Sequence, residues 1–373
     1  MKLCVFSNDS IQDYFNKGEI KERYFNPNNL FKEIHIFSPT ENDVEATKVK
    51  KISGNAKLEI YPIGKLNLLN FKSKFNDVLE IIKRIRPDVI RAYNPLMQGW
   101  LATKIAKELS IPVVVSIHNN YDKDKRQFYK RNKNYRQYLK FLYTERFIER
   151  YVILNATKII CAYRFLVPYV KRLGGKEIDV IYNRVDLTNF SPDIKPELSF
   201  NKKTIICVSR LDAEKNQECL IKSIKDLNVK LILIGKGSLY EKYNQLVNKL
   251  GINDKVMFIK SVPNEKLARY YNSADIFASP IKQGGVSIPM IEAMACGLPL
   301  IISSREDGEH EDIDEVVMFA ENNPEDFKKA IIILLNEPTL CKEMIRKGLE
   351  KVKILNGEIM EKKEESLYKE ILK

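Results

Sequence analysis

The chain has 373 residues, 44% of them hydrophobic and 30% charged, with a formal net charge of +13. That is more than one hydrophobic core usually serves, so two domains are expected. Fifteen glycines and fifteen prolines exclude a collagen-like or low-complexity chain, and the apolar content excludes global disorder.

The opening run Met1–Ser7 is too short for a signal peptide and soon meets Asp9. It reads as the first of a series of strands: Lys2–Ser7, Glu33–Ser38, Lys57–Pro62, Asp88–Tyr93, Pro112–His118, Lys158–Ala162 and Asp179–Tyr182. Helical spacing separates them, as in Phe75, Val78, Leu79, Ile82 and Ile85. The longest membrane candidate, Tyr151–Val167, is broken by Asn155, Lys158 and Arg164 and reads as a strand with its flanks. Beyond it the scheme repeats at Thr204–Ser209, Lys230–Ile234, Lys255–Ile259, Ile276–Ser279 and Leu298–Ile302.

Near-continuous apolar strands separated by helices imply parallel sheets covered on both faces. The expected fold class is α/β, with two doubly wound Rossmann-like domains. Residues 1–186 form the first and 204–355 the second. Asn189, Pro192, Asp193 and Pro196 mark 187–203 as a linker, and 356–373 form a closing helix able to return to the first domain. In such folds ligands sit at the carboxyl ends of the strands, and a cleft between the domains is the default site.

Six scattered cysteines, Cys4, Cys161, Cys207, Cys219, Cys296 and Cys341, form no Cys-x-x-Cys pair and have no histidine at ligand spacing. Neither a disulfide framework nor a metal site is expected, and the protein reads as soluble and cytoplasmic. Residues 1–190 hold 34 Lys/Arg and 20 Asp/Glu, the remainder 28 and 29, so +14 stands against −1. Nucleic acid, an anionic membrane surface and a phosphorylated substrate all fit a basic first half. The densest stretch, Lys123–Arg150, has ten basic and three acidic residues interleaved with Phe128, Tyr129, Tyr135, Tyr138, Phe141, Tyr143 and Phe147. Tyr135, Tyr138, Leu139 and Leu142 share one helical face, which suits packing on the domain and, with the excess charge, an interfacial surface. No RNA-binding motif accompanies it, so nucleic acid is not expected as a partner.

Three segments of the second half carry chemistry. In Val208–Asn216, Arg210 and Lys215 flank a strand-to-helix turn, where two cations suit a diphosphate or else pair with Asp212 and Glu214. Gly235-Lys236-Gly237-Ser238 follows a strand and either admits close backbone approach by a ligand or makes a tight turn. In Ser279–Pro299 a strand ends in a glycine loop, Pro289 suits a helix start and Gly297 a helix end. Glu292, the lone charge of that helix, requires donors: helix-start amides, ligand hydroxyls, or both.

Together, Arg210-Leu211-Asp212 with Glu214-Lys215, and Glu292-Ala293-Met294-Ala295-Cys296-Gly297-Leu298-Pro299, resemble the large retaining glycosyltransferase family with GT-B architecture. That family includes glycogen and sucrose synthases and the lipid mannosyltransferases, and the resemblance covers roughly Thr204 to Leu335. It implies that Arg210 and Lys215 hold the diphosphate of a nucleotide-sugar donor and that Glu292 binds the ribose. It further implies donor contacts at Gly235, Gly237, Gly284, Gly285 and Val286, with the amides around Ser287 and Ile288 completing a phosphate cradle. The family usually has a second glutamate eight positions before the helix glutamate, on the donor sugar; here that position is Gly284, with Gln283 and Lys282 beside it.

In the first half, His118 matches a family position near the donor sugar and acceptor, and reads otherwise as a structural histidine at a strand end. Asn119, Asn120 and Asp122 follow it. Asn183-Arg184-Val185-Asp186 resembles the family's Asn-Gly-Val-Asp. The family's glycine-rich loop after the first strand is replaced by Asn8-Asp9-Ser10, and Gly18 comes late. The implied activity is hexosyl transfer to an acceptor hydroxyl with retention, without metal or cofactor. Its competitors are a nucleotide-sugar epimerase, poorly served by only His35, His118 and His310, and a silent nucleotide-sugar-binding protein. The basic first half suggests a lipid-linked or anionic glycan acceptor and peripheral attachment to anionic membrane through Lys125, Arg126, Lys130 and Arg131.

Overall fold

The structure is a computed structural model and describes residues 1–17, 20–131, 133–282, 287–304 and 314–373. The chain divides into two compact units, Met1–Tyr182 with Met360–Lys373, and Asn183–Ile359. Residues 187–203, expected as a linker, count with the second unit.

The first unit holds seven parallel strands: β1 (Lys2–Phe6), β2 (Glu33–Ser38), β3 (Lys57–Pro62), β4 (Val89–Ala92), β5 (Val113–Ile117), β6 (Lys158–Cys161) and β7 (Ile178–Val180). Their order is β3-β2-β1-β4-β5-β6-β7, placing β1 and β4 near the centre. Both are buried along nearly their whole length, which is why they read as continuous apolar runs. The helix Phe71–Ile85 shows how crossovers cover the sheet: Val78, Leu79, Ile82 and Ile85 fall on one face and are buried. It stops where Arg86, in the left-handed region ahead of Pro87, returns its amide to the Ile82 carbonyl.

The second unit holds six parallel strands: β8 (Thr204–Val208), β9 (Lys230–Ile234), β10 (Val256–Ile259), β11 (Ile276–Ser279), β12 (Leu300–Ser303) and β13 (Val317–Ala320). Their order is β10-β9-β8-β11-β12-β13. The core gathers Ile205, Cys207, Leu231, Leu233, Ala278 and Ile301 from the strands and Phe327, Ile331 and Leu334 from a covering helix. The edge strand β13 is not anticipated by the sequence reading, because two of its four residues, Val317 and Met318, are only partly buried and Phe319 is exposed. Leu298 and Pro299, expected in β12, belong to the preceding turn, where Gly297 at φ +75° closes the helix Ile288–Ala295 and the Leu298 amide bonds Ala293 O.

Candidate functional site

In the second unit, the loops at the carboxyl ends of β8, β9 and β11 are laced together. The Ser209 amide donates to Ile234 O (3.0 Å), Leu211 N to Lys236 O (2.9 Å) and Leu239 N to Leu211 O (3.0 Å). Gly235 and Gly237 make this possible. A Cβ on Gly235 would lie 2.0 Å from Ser209 O, and one on Gly237 would lie 2.1 Å from Leu211 O. Both glycines therefore serve the close approach of two turns, and through it the placement of Arg210. Buried Gln217 tightens the same turn, its amide donating to Ser209 Oγ (2.6 Å) and Arg210 O (2.8 Å).

Arg210 and Lys215 thus share one ordered turn. Arg210 reaches into solvent with Nη2 3.2 Å from Asp212 Oδ2, while Lys215 is partly buried and its amide bonds Asp212 O and Oδ1, each at 3.2 Å. The surface pair with Asp212 anticipated from the sequence does form. It is an exposed, screened contact of little worth. The helix that follows, Gln217–Ser223, is under two turns long and adds little dipole. The β11 loop joins through Lys282 N, which donates to Glu214 O at 3.0 Å.

A second tie was not visible in the sequence. Asn322, just past β13, donates from Nδ2 to Pro280 O (2.8 Å) and Ser303 Oγ (2.7 Å) and accepts from Asn216 Nδ2 (2.5 Å). One amide side chain, itself in the loop after β13, thereby joins the loops that follow β8 and β11 to the end of β12.

Glu292 is 2% exposed and faces two donors on the helix Asn264–Tyr271: Tyr271 Oη at 3.1 Å and Asn264 Nδ2 at 3.3 Å. It stands in the second turn of its helix. The sequence reading offered helix-start amides or ligand hydroxyls as its donors; the tyrosine hydroxyl and the amide side chain on a neighbouring helix were not anticipated. Burial, and then the carboxylate, drives the Tyr271 phenol well above its ordinary range, so it stays a donor. Ser287 caps the helix and Ile288 is its first residue, so Pro289, expected at the first helical position, stands second. Gly284, Gly285 and Val286 lie outside the described residues.

His118 belongs to the first unit, directly after β5. Its ring stacks on Tyr93 at 5.9 Å between centroids and 12° between planes, and its Nε2 is buried with no partner among the described residues. Burial, reinforced by the positive charge of Arg91, lowers its pKa to about 4, so the imidazole is neutral at physiological pH. At the start of this unit, the Asp43 carboxylate accepts from Ile11 N (3.0 Å) and Gln12 N (2.5 Å) of the helix after β1 and from its own neighbour Val44 N (2.8 Å). An internal carboxylate thus serves the helix start after β1, where the family has glycines and this chain has Asn8-Asp9-Ser10. Gly18 and His310 lie outside the described residues.

The basic segment departs from expectation in two ways. The helix Tyr135–Thr144 buries none of its residues; Tyr135 is 59% and Leu139 62% exposed, and Leu142, Tyr143 and Phe147 are exposed too. Among the described residues, Tyr135, Leu139 and Leu142 of the apolar face are therefore left to solvent, while Phe141 stacks on Tyr129. Arg126, expected among the membrane-facing cations, is instead buried. Its Nη1 lies 3.1 Å from Glu149 Oε1 and its Nε 2.8 Å from Glu145 Oε2, while Tyr169 Oη and Thr144 Oγ1 donate to Glu149. A further exposed apolar feature was missed. After β3, Asn67 Oδ1 accepts from the amides of Leu69 (2.9 Å) and Asn70 (3.1 Å), and Asn70 Oδ1 accepts from Asn67 N (2.9 Å). This closed turn presents Leu68 and Leu69 to solvent, Leu69 at 98% exposure. Among the described residues no helix is long and apolar enough to cross a membrane.

Residues 191–351 match the family described as glycosyl transferases group 1, and residues 32–189 match glycosyltransferase family 4. Among curated proteins the chain is similar to an alpha-monoglucosyldiacylglycerol synthase of Streptococcus pneumoniae, 25% identical over 291 residues. That alignment covers 72% of this chain and 63% of the synthase. Among solved structures it is similar to a sucrose-phosphate synthase from Thermosynechococcus elongatus, with a TM-score of 0.76 at 16% identity, covering 100% of this chain and 99% of that one. It is also similar to HepE of Anabaena in complex with UDP and glucose, with a TM-score of 0.74 at 14% identity, covering 98% and 99%. At such identities the structural likeness shows the fold alone.

Proposed function

The chain belongs to the group 1 glycosyltransferases and has their GT-B fold, and from that premise we propose that it moves a sugar from a nucleoside-diphosphate donor to an acceptor hydroxyl with retention of configuration. The observation that carries this reading is the joined set of loops at β8, β9 and β11, which fixes Arg210 and Lys215 on one turn. As the sugar leaves, negative charge gathers on the diphosphate. Fixed cations aimed at that charge are worth about 10²–10³ in rate each. They supply the countercharge a divalent metal would otherwise bring, so the reaction is metal-independent in this reading. Glu292, oriented by Tyr271 and Asn264, takes the ribose hydroxyls. The amides around Ser287 and Ile288 complete the phosphate cradle. His118, neutral and at the carboxyl end of β5, serves the reacting sugar and the acceptor.

The acceptor is lipid-linked or otherwise anionic, and the protein attaches peripherally to anionic membrane. The exposed apolar face of Tyr135–Thr144, lined by Arg136 and Lys140, and the Leu68–Leu69 turn support this. So does the synthase relative, whose name is that of an enzyme making a glucosyl lipid.

Arg210→Ala and Lys215→Ala are each expected to depress turnover strongly while melting like the parent, and both to weaken calorimetric binding of UDP or GDP. Activity should survive excess chelator. Near-normal activity in both variants refutes the diphosphate assignment, and loss on chelation with rescue by magnesium or manganese refutes metal independence. Nucleotide binding without either transfer or donor hydrolysis would leave a silent binding protein.

A further inference from the structure

Arg91 is a charged residue in the middle of a central strand. It pairs in register with Val5 of β1 and Val114 of β5 and is 4% exposed. Removing a guanidinium from water costs several kcal/mol, and an apolar residue of similar volume would satisfy the packing as well or better. Its partners come from the other end of the chain, on the C-terminal helix Gly357–Ile371. Nη1 donates to Tyr368 Oη at 3.0 Å and lies 3.4 Å from Glu364 Oε1. The guanidinium sits over the Tyr93 ring at 5.0 Å and over the Tyr368 ring at 5.9 Å. Tyr93 in turn stacks on His118 and is fixed by Tyr24, stacked at 6.1 Å, and Phe25, edge-on at 5.3 Å.

We propose that Arg91, Tyr93 and Glu364 are positioning residues for His118: a chain of contacts from the C-terminal helix fixes the plane and electrostatic surroundings of the imidazole. The inference rests on the proposed role of His118 in transfer. Tyr93 sets the ring plane by stacking. Arg91 pins Tyr93 through its face and places a permanent positive charge near the imidazole, which disfavours a second one there. A neutral ring keeps one donor and one acceptor nitrogen and does not repel an anomeric carbon that gains positive charge as the diphosphate leaves. Glu364 moderates the effect from the other side of the ion pair. The charged groups acting on His118 are thus Arg91 from β4 and Glu364 from the C-terminal helix; Tyr93 stacks on its ring, and Tyr368 lies against Arg91.

The test reads protonation of His118 directly, on the full chain carrying ¹³C-labelled histidine. The protein has three histidines, and His118→Asn identifies the resonance. At pH 4 the wild-type ring should be about half protonated. Arg91→Met should make it mostly protonated there, and Glu364→Gln mostly neutral. Opposite displacements are not what a merely structural pair produces. Shifts in one direction, or none, in variants that melt cooperatively would overturn the proposal. If either variant does not fold, Arg91→Lys and Glu364→Asp take their place. These keep the charges, so the midpoint should stay while kcat falls several-fold at unchanged KM; unchanged kcat in both would overturn the proposal. Full activity in His118→Asn would remove the catalytic reading of that histidine while leaving the titrations to stand, so the two fail separately.

Discussion

Gly237→Ala tests whether the two interlocked turns place Arg210. The new Cβ would lie 2.1 Å from Leu211 O and 2.4 Å from Leu211 C, where ordinary contact begins at 3.4 Å. The obstacle is backbone, so the turns must part by about 1.3 Å. That movement strains or breaks the Leu211 N–Lys236 O and Leu239 N–Leu211 O bonds, each worth about 1 kcal/mol. A displacement near 1 Å at a catalytic group costs on the order of 10²-fold in rate, or about 2.7 kcal/mol of transition-state stabilisation. We therefore expect kcat/KM for the nucleotide-sugar donor to fall on the order of 10²-fold in Gly237→Ala. Gly251→Ala is the control. It sits at φ +66° after the helix Tyr240–Leu250, with no heavy atom within 4 Å of its Cβ. Only left-handed strain of about 1–2 kcal/mol is added there, so Tm should drop by roughly 2–4 °C per kcal/mol with kinetics unchanged. Wild-type kcat/KM in Gly237→Ala, with Arg210→Ala inactive, would refute the idea that these glycines act by seating the loop.

Glu149→Ala leaves the buried Arg126 charge without its main partner and should destabilise by about 3–5 kcal/mol in urea unfolding. The double replacement Arg126→Met with Glu149→Leu should recover most of that. In co-sedimentation with anionic vesicles, Leu69→Ser should weaken binding roughly tenfold without changing Tm, as expected for losing about 1.5 kcal/mol of apolar burial. Neutralising Lys130, Arg136 and Lys140 should weaken it further and reduce the salt dependence, whereas indifference to such vesicles at low salt would refute peripheral attachment. His118 has a native pKa of about 4 against an ordinary 6.5, so the unfolded chain takes up its proton first as pH falls. Stability should therefore decline between those values, and His118→Asn should flatten that decline.

The strands were legible because a buried parallel strand is an apolar run whatever its neighbours, and Arg210, Lys215 and His118 were legible as polar residues at strand ends. What stayed hidden was partnership across sequence distance. Glu292 announced that it needed donors, yet Asn264 and Tyr271 precede it by 28 and 21 residues and look like ordinary helix positions. Arg126 sits in a run of cations, and nothing local separates a solvated arginine from one bound to a glutamate 23 residues on. The helix Tyr135–Thr144 shows the converse: its amphipathic spacing reads as core packing, but none of its residues is buried by the described residues. Asn322 ties three loops and the end of β12 through one amide, and an asparagine after a strand carries no mark of that role.

The Arg91 contacts also set a schedule for biosynthesis. The sheet containing this arginine leaves the ribosome early, while Tyr368 lies 277 residues further on. At about 5–20 residues per second, tens of seconds pass before the closing helix exists. Throughout that interval the first unit holds a central charge whose partners have not been made, and the whole second unit is synthesised as an insertion within it. The nascent first unit should then be protease-sensitive until termination. A stop codon immediately before Glu364 would leave the second unit whole and damage the first, whose strands are encoded at the opposite end of the message.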